Sequence, residues 1–120
     1  SGLFERFPKQ QVILGHMAEM LPFCLWRIDS RYAIWPRDRT LRRKPSDYIR
    51  ENIVATTSGS FDALPLGACV EAMGEDRVMF AIDYPYEPAD EAVAMLEDAP
   101  FPQPVIEKIA YGNAERILKL

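Results

Sequence analysis

The chain has 120 residues, with 14 Lys+Arg against 18 Asp+Glu, a net charge of −4, and 48% hydrophobic and 27% charged residues. That balance belongs to a globular protein with one core, so residues 1–120 are expected to form a single domain. The acidic excess argues against non-specific nucleic-acid binding, the apolar runs are too short to span a membrane, and no basic segment leads into an apolar stretch as in a signal peptide.

Gly2 to Phe7 reads as the end of a helix that Pro8 stops. Gln11-Val12-Ile13-Leu14, closed by Gly15, reads as a buried strand. A helix is predicted from Glu19 to about Arg31, with Pro22 in its first turn. Its residues Met20, Leu21, Phe23, Cys24, Leu25, Trp26 and Ile28 leave little polar face, so burial on several sides, in a core or at a subunit contact, is expected. Trp35 to Pro45, carrying Arg37, Arg39, Arg42, Arg43 and Lys44, reads as a solvated basic loop or a ragged helix end.

A short helix from Ser46 to Asn52 leads into a second strand, Ile53 to Thr57, closed by Ser58-Gly59-Ser60. A helix follows from Ala63 to Met73 with Gly74 as its C-cap, then a third strand from Arg77 to Ile82 that ends at Asp83. Beyond Pro85 and Pro88 comes a helix from Ala89 to Leu96. Beyond Pro100, Pro102 and Pro104 comes a last one from Val105 to Lys119, interrupted near Gly112. Strands alternating with helices at crossover spacing give an α/β fold with a parallel sheet. Three such strands leave two unpaired edges that need cover.

The carboxyl ends of buried parallel strands are where α/β proteins build sites. Here they read Gly15-His16-Met17-Ala18-Glu19, Thr56-Thr57-Ser58-Gly59 and Asp83-Tyr84-Pro85-Tyr86-Glu87. His16 is the only histidine, with Glu19 three residues on. It suits a general acid or base, or a metal ligand, whose tautomer a carboxylate fixes. The bland alternative is a hydrogen-bonded histidine without chemistry. Asp83 is either a ligand or base, or the N-cap of the next turn. With one histidine and scattered carboxylates, a complete zinc site within the chain is not expected.

Arg27 and Arg31 stand one turn apart on the apolar helix. The Arg27 guanidinium, among Phe23, Trp26 and Ile28, either pairs with Asp29 or a partner helix or aims bidentate hydrogen bonds at an anionic substrate. Thr56, Thr57 and Ser58 read as turn formers more than as contacts. Cys24 and Cys69, both in apolar helical settings, read as inert thiols in a reduced, cytoplasmic setting.

Taken together, Ser1-Gly2-Leu3-Phe4-Glu5-Arg6-Phe7-Pro8, Ile13-Leu14-Gly15-His16-Met17-Ala18-Glu19, Leu21-Pro22-Phe23, Thr56-Thr57-Ser58-Gly59, Asp83-Tyr84-Pro85-Tyr86-Glu87 and Gly112-Asn113-Ala114-Glu115-Arg116 resemble the amidohydrolase-related decarboxylases. The likeness is nearest to the gamma-resorcylate and 2,3-dihydroxybenzoate decarboxylases, and more distant to aminocarboxymuconate semialdehyde decarboxylase. It runs the length of the chain; Ala18 departs from it, where many relatives have Gly.

The resemblance implies a partial (β/α)8 barrel, with these strands as the sixth to eighth, followed by the C-terminal helices. A whole barrel takes about 250 residues, so the chain is expected to be the carboxyl-terminal portion. By the same likeness His16 is the catalytic histidine, Glu19 its partner, and Asp83 a metal ligand that also takes part in proton transfer. Arg27 and Arg31 match substrate-binding arginines placed after the histidine motif, a region from which an arginine in relatives can reach a neighbouring subunit's substrate carboxylate. The implied reaction is metal-dependent, non-oxidative decarboxylation of an aromatic or muconate-like acid. One divalent ion, Zn or Mn, serves the complete enzyme, while this portion alone could hold none. The implied partners are a small carboxylic acid and further copies of the chain in a homo-oligomer, with neither nucleic acid nor membrane. The alternatives are a hydrolase of the same superfamily and a truncated, non-catalytic oligomerising module; a small-ligand binder outside the family explains the strand ends poorly.

Overall fold

The computed structural model describes residues 2–34 and 41–120, so Arg37 and Arg39 of the basic stretch lie outside the described residues. Helix α1 (Leu3–Arg6) ends before Pro8. The side-chain amide of buried Asn52 then donates to the carbonyls of Pro8 and Gln10, both at 2.9 Å. This clasp delivers the chain into β1 (Val12–Leu14) beside the strand that follows Asn52.

After β1 a tight turn at His16–Ala18 leads into α2 (Leu21–Ile34). Helix α3 (Pro45–Asn52) follows, with Pro at its start as its missing N–H allows. Asp29 of α2 reaches over to α3, accepting from the Ser46 N–H at 2.9 Å and the Ser46 hydroxyl at 2.6 Å. A carboxylate on the first free N–H groups of a helix is favourable both as a cap and against the helix dipole. Asp29 therefore serves α3 and is not the partner of Arg27.

Strand β2 (Ile53–Thr56) runs straight out of α3 and lies between β1 and β3 (Val78–Met79), parallel to both. Leu14 pairs with Ala55 and Thr56 with Met79, which brings the three carboxyl ends to one rim. Val54 and Ala55 are fully buried, as the central strand of a parallel sheet requires. The third strand is shorter than the sequence predicts. After Met79 its backbone turns to other partners: the Phe80 N–H to the Ile109 carbonyl at 2.8 Å, and Ala81 to the Thr57 hydroxyl.

Helix α4 (Ala63–Met73) is capped by the Asp62 carboxylate on the Leu64 N–H, and it sends Leu66, Cys69 and Met73 into the core with Ala55 and Val78. Helix α5 (Ala89–Glu97) adds Met95 and Leu96. The terminal helix is divided into α6 (Gln103–Glu107), a π-helical stretch over Lys108–Gly112, and α7 (Asn113–Leu118), so the interruption near Gly112 is a widened turn rather than a break. Asn113, 1% exposed, donates to the carbonyls of Glu75 and Val78 at 2.7 and 2.8 Å. The terminal helix thus pins the start of β3, whose continuation carries Asp83.

Of the two settings expected for α2, a core of this chain is not the one observed: Phe23 and Trp26 are 64% and 76% exposed, and Leu25 is the one buried residue of this helix. Its apolar surface faces outward among the described residues. No helix of the described residues is long and apolar enough to cross a membrane.

Candidate functional site

The rim is assembled from three strand ends, and β1 contributes its most unusual feature. After Gly15 the chain enters a left-handed turn in which His16, Met17, Ala18 and Glu19 have φ of 51°, 53°, 58° and 56°. Side-chain-bearing residues adopt this region at a cost and keep it only where surrounding structure imposes it. Here the imposition is visible. Met17 and Ala18 are each 2% exposed in the core, and the N–H groups of Ala18 and Glu19 close back on the carbonyls of Gly15 and His16 at 2.8 and 2.9 Å. Burying the middle pair turns His16 and Glu19 outward together, which is why the three-residue spacing yields a contact of 3.0 Å between His16 Nδ1 and Glu19 Oε1.

The other ring nitrogen faces the third strand end. His16 Nε2 stands 3.5 Å from Asp83 Oδ2. Asp83 has φ 82°, precedes a cis Tyr84–Pro85 peptide, and closes the next turn with its carbonyl, which accepts the Tyr86 N–H at 2.9 Å. The carboxylate itself is left for His16, so the N-cap reading of Asp83 fails. The imidazole lies between two carboxylates. The hydrogen bond to Glu19 first, then the contact with Asp83, hold the His16 pKa above the usual histidine value. Both nitrogens face acceptors, so the doubly protonated ring suits the arrangement.

The middle strand end supplies the support. The Ser58 carbonyl accepts the His16 N–H at 3.1 Å, Ser58 Oγ shares a hydrogen bond with Thr56 Oγ1 at 2.9 Å, and Gly59 N–H donates to the Ile82 carbonyl at 3.3 Å. Buried Thr57 binds Ala81 twice, its hydroxyl accepting from the N–H at 3.0 Å and donating to the carbonyl at 2.8 Å. These are contacts between the site strands rather than turn chemistry alone. Their only signal in the sequence is hydroxyl residues running past the end of an apolar strand.

A cleft of about 410 Å³ opens beside the imidazole, lined by His16, Glu19, Met20, Phe23, Ser60 and Pro65 among others. Asp83 lies at the ring's other nitrogen and does not line it. Arg27 and Arg31 are exposed on α2. Among the described residues no hydrogen bond or ion pair joins either to His16, Glu19 or Asp83, and neither has a carboxylate partner. Cys69 is buried, with its thiol pushed up to about 11 by burial, and is inert as expected.

Asp83 offers hard oxygen donors, 40% exposed at the rim, and so suits a divalent ion such as manganese. No group of three or more His, Cys, Asp or Glu side chains converges among the described residues. The described residues thus fit a metal as contributors of ligands and not as a complete cage.

This rim, with its His-x-x-Glu turn and the Asp that ends the third strand, can be set beside known proteins. The Amidohydrolase family profile matches residues 1–120. The chain belongs to the amidohydrolase family. The chain is 40% identical over 123 residues to gamma-resorcylate decarboxylase of Polaromonas sp. JS666, covering 100% of this chain and 37% of that protein. It superposes on the crystal structure of 5-carboxyvanillate decarboxylase from Sphingomonas paucimobilis with TM-score 0.93 and 43% identity, covering 100% of this chain and 37% of that one. A dihydroxybenzoic acid decarboxylase from Polaromonas sp. JS666, solved with bound manganese and the inhibitor 2-nitroresorcinol, gives TM-score 0.92 at 39% identity with the same coverage. These neighbours are barrel decarboxylases, and the three strands with their helices form a partial barrel of that kind. The chain spans 37% of the length of these relatives.

Proposed function

We propose that this amidohydrolase chain carries the proton-transfer residues of a metal-dependent, non-oxidative decarboxylase acting on a hydroxylated aromatic carboxylic acid. The observation that carries the reading is the His16 imidazole held between Glu19 and Asp83 at the carboxyl rim of a parallel sheet. In decarboxylation of an arene carboxylate, a proton adds to the carboxyl-bearing ring carbon. The carbon–carboxyl bond then breaks, its electron pair restores the aromatic ring, and carbon dioxide leaves. The proton comes from the His16–Asp83 pair acting as general acid. Glu19 keeps the ring oriented and charged before transfer. Asp83 would be one of the ligands holding a divalent metal, which when bound would supply Lewis-acid stabilisation to the substrate. Manganese is favoured by the manganese-bound relative.

Arg27 and Arg31 are assigned to the substrate carboxylate across a subunit contact. The reading is supported by two guanidinium groups without carboxylate partners among the described residues, beside exposed Phe23 and Trp26. It makes the active protein a homo-oligomer. Free Cys24 and Cys69 are consistent with work in a reducing cytoplasm.

The test is turnover. The intact protein, supplied with manganese, should release carbon dioxide from 2,6-dihydroxybenzoate or 5-carboxyvanillate, measured as gas evolution coupled to loss of the acid's absorbance. Hydrolysis of an amide or lactone panel without carbon dioxide release would overturn decarboxylation in favour of the hydrolase alternative.

A further inference from the structure

The middle strand end holds a residue that neither the resemblance nor the proposed reaction assigns. Gly59 has φ +63°, and a Cβ built there would lie 2.8 Å from His16 Cδ2, 3.1 Å from His16 Nε2 and 3.5 Å from Asp83 Oδ2. The first distance is shorter than side-chain carbons tolerate, so something must move. The backbone on either side resists. Gly59 N–H is tied to the Ile82 carbonyl, His16 N–H to the Ser58 carbonyl, and Thr57 clamps Ala81 at both its N–H and its carbonyl. The residues after His16 are anchored in the core by Met17 and Ala18. The mobile part is the imidazole itself, and turning it away from Gly59 takes Nε2 away from Asp83.

We infer that Gly59 is a positioning residue: its missing side chain is the space in which the His16 ring rests against Asp83, with Thr57 holding that strand end in register. The consequence for catalysis rests on the decarboxylase reading, whereas the steric coupling of residues 59 and 16 does not. Gly74 provides the control. It too has positive φ, at +96°, but a Cβ there meets nothing within 4 Å. Gly74→Ala therefore strains the backbone without touching the site.

The experiment has two readouts on the intact protein. The first is a double-mutant cycle in thermal stability over Gly59→Ala and His16→Ala. Contact between the added methyl and the ring predicts that Gly59→Ala lowers Tm by about 4 °C or more in the parent and by clearly less in the His16→Ala background. A variant that folds only in that background supports the contact equally. An equal loss in both backgrounds, or failure to fold in both, means the methyl meets the fold rather than the ring, and overturns the inference.

The second is kinetic. Gly59→Ala should lower kcat by roughly 10- to 100-fold, the effect of displacing a catalytic group by about an ångström, with KM little changed, while Gly74→Ala stays within about twofold. A folded Gly59→Ala protein with parental kcat overturns the inference. If the parent itself releases no carbon dioxide, the decarboxylase reading fails instead, and the stability cycle alone decides whether Gly59 positions His16.

Discussion

His16 is the sole histidine of the chain, so its ring can be followed by NMR without assignment. The hydrogen bond to Glu19 and then the contact with Asp83 raise its pKa, so with metal chelated its midpoint should lie above the usual histidine value, near 6.5. Glu19→Gln should lower the midpoint more than Asp83→Asn does. A raised histidine pKa makes the folded state bind the proton more tightly than the unfolded one. The linked stability is therefore complete below the unfolded value and fades as pH climbs through the folded value. Because ring and carboxylates are all substantially exposed, that stability is small and should shrink further with salt. A midpoint at or below the usual value in the parent would contradict the bracketed geometry. At this scale much was legible: polar residues placed where apolar runs stop marked His16, Glu19 and Asp83, and their spacing anticipated the 3.0 Å contact. Gly59 was not legible, because its requirement comes from a ring 43 positions away in sequence. Nothing local distinguishes it from a glycine that merely turns the chain.

The elements explain how the rim is held. The parallel sheet and most helices could be read from periodicity and from Pro and Gly punctuation, because local propensity and burial agree there. The left-handed turn over His16–Glu19 could not, since three of its four φ values belong to Met, Ala and Glu, which give no such signal. Core packing of Met17 and Ala18 imposes it. The third strand is also shorter than its apolar run, because Thr57 and Ile109 take the backbone bonds that pairing would have used. Asn113 anchors this strand from the terminal helix. Asn113→Ala should remove a buried and a part-buried hydrogen bond, leaving the Val78 and Glu75 carbonyls without that donor, and with them the bond that Asn113 accepts from Arg116. The expected loss is about 2–3 kcal/mol in denaturant unfolding, with no change in the m-value. A loss under about 0.5 kcal/mol, the range of an ordinary surface change, would show that α7 does not pin β3.

For the molecule as a whole, shape and surface point the same way. The radius of gyration is 15.4 Å with extents of 48 × 29 × 29 Å, against about 13.6 Å for a compact chain of this length. The chain carries a single three-stranded sheet with β1 at one edge, and Phe23 and Trp26 lie exposed on α2. The sequence reads α2 as apolar nearly all round and calls for cover by a core or by a subunit contact; which of the two covers it is a property of its surroundings, which sequence pattern does not encode. The 120-residue chain should therefore self-associate in a concentration-dependent way in light scattering, as uncovered edges and apolar patches do. Charging the face with Trp26→Glu should weaken that association. A monodisperse monomer in the parent would contradict this account of the surface.

The most direct test of the central claim, that His16 and Asp83 act together at one rim, is Asp83→Asn in the intact protein, with manganese content and carbon dioxide release measured on the same preparation. The account predicts that the variant loses bound manganese and that turnover falls by at least about 100-fold, while the fold, followed by circular dichroism, stays intact. Unchanged manganese content together with unchanged turnover would contradict it.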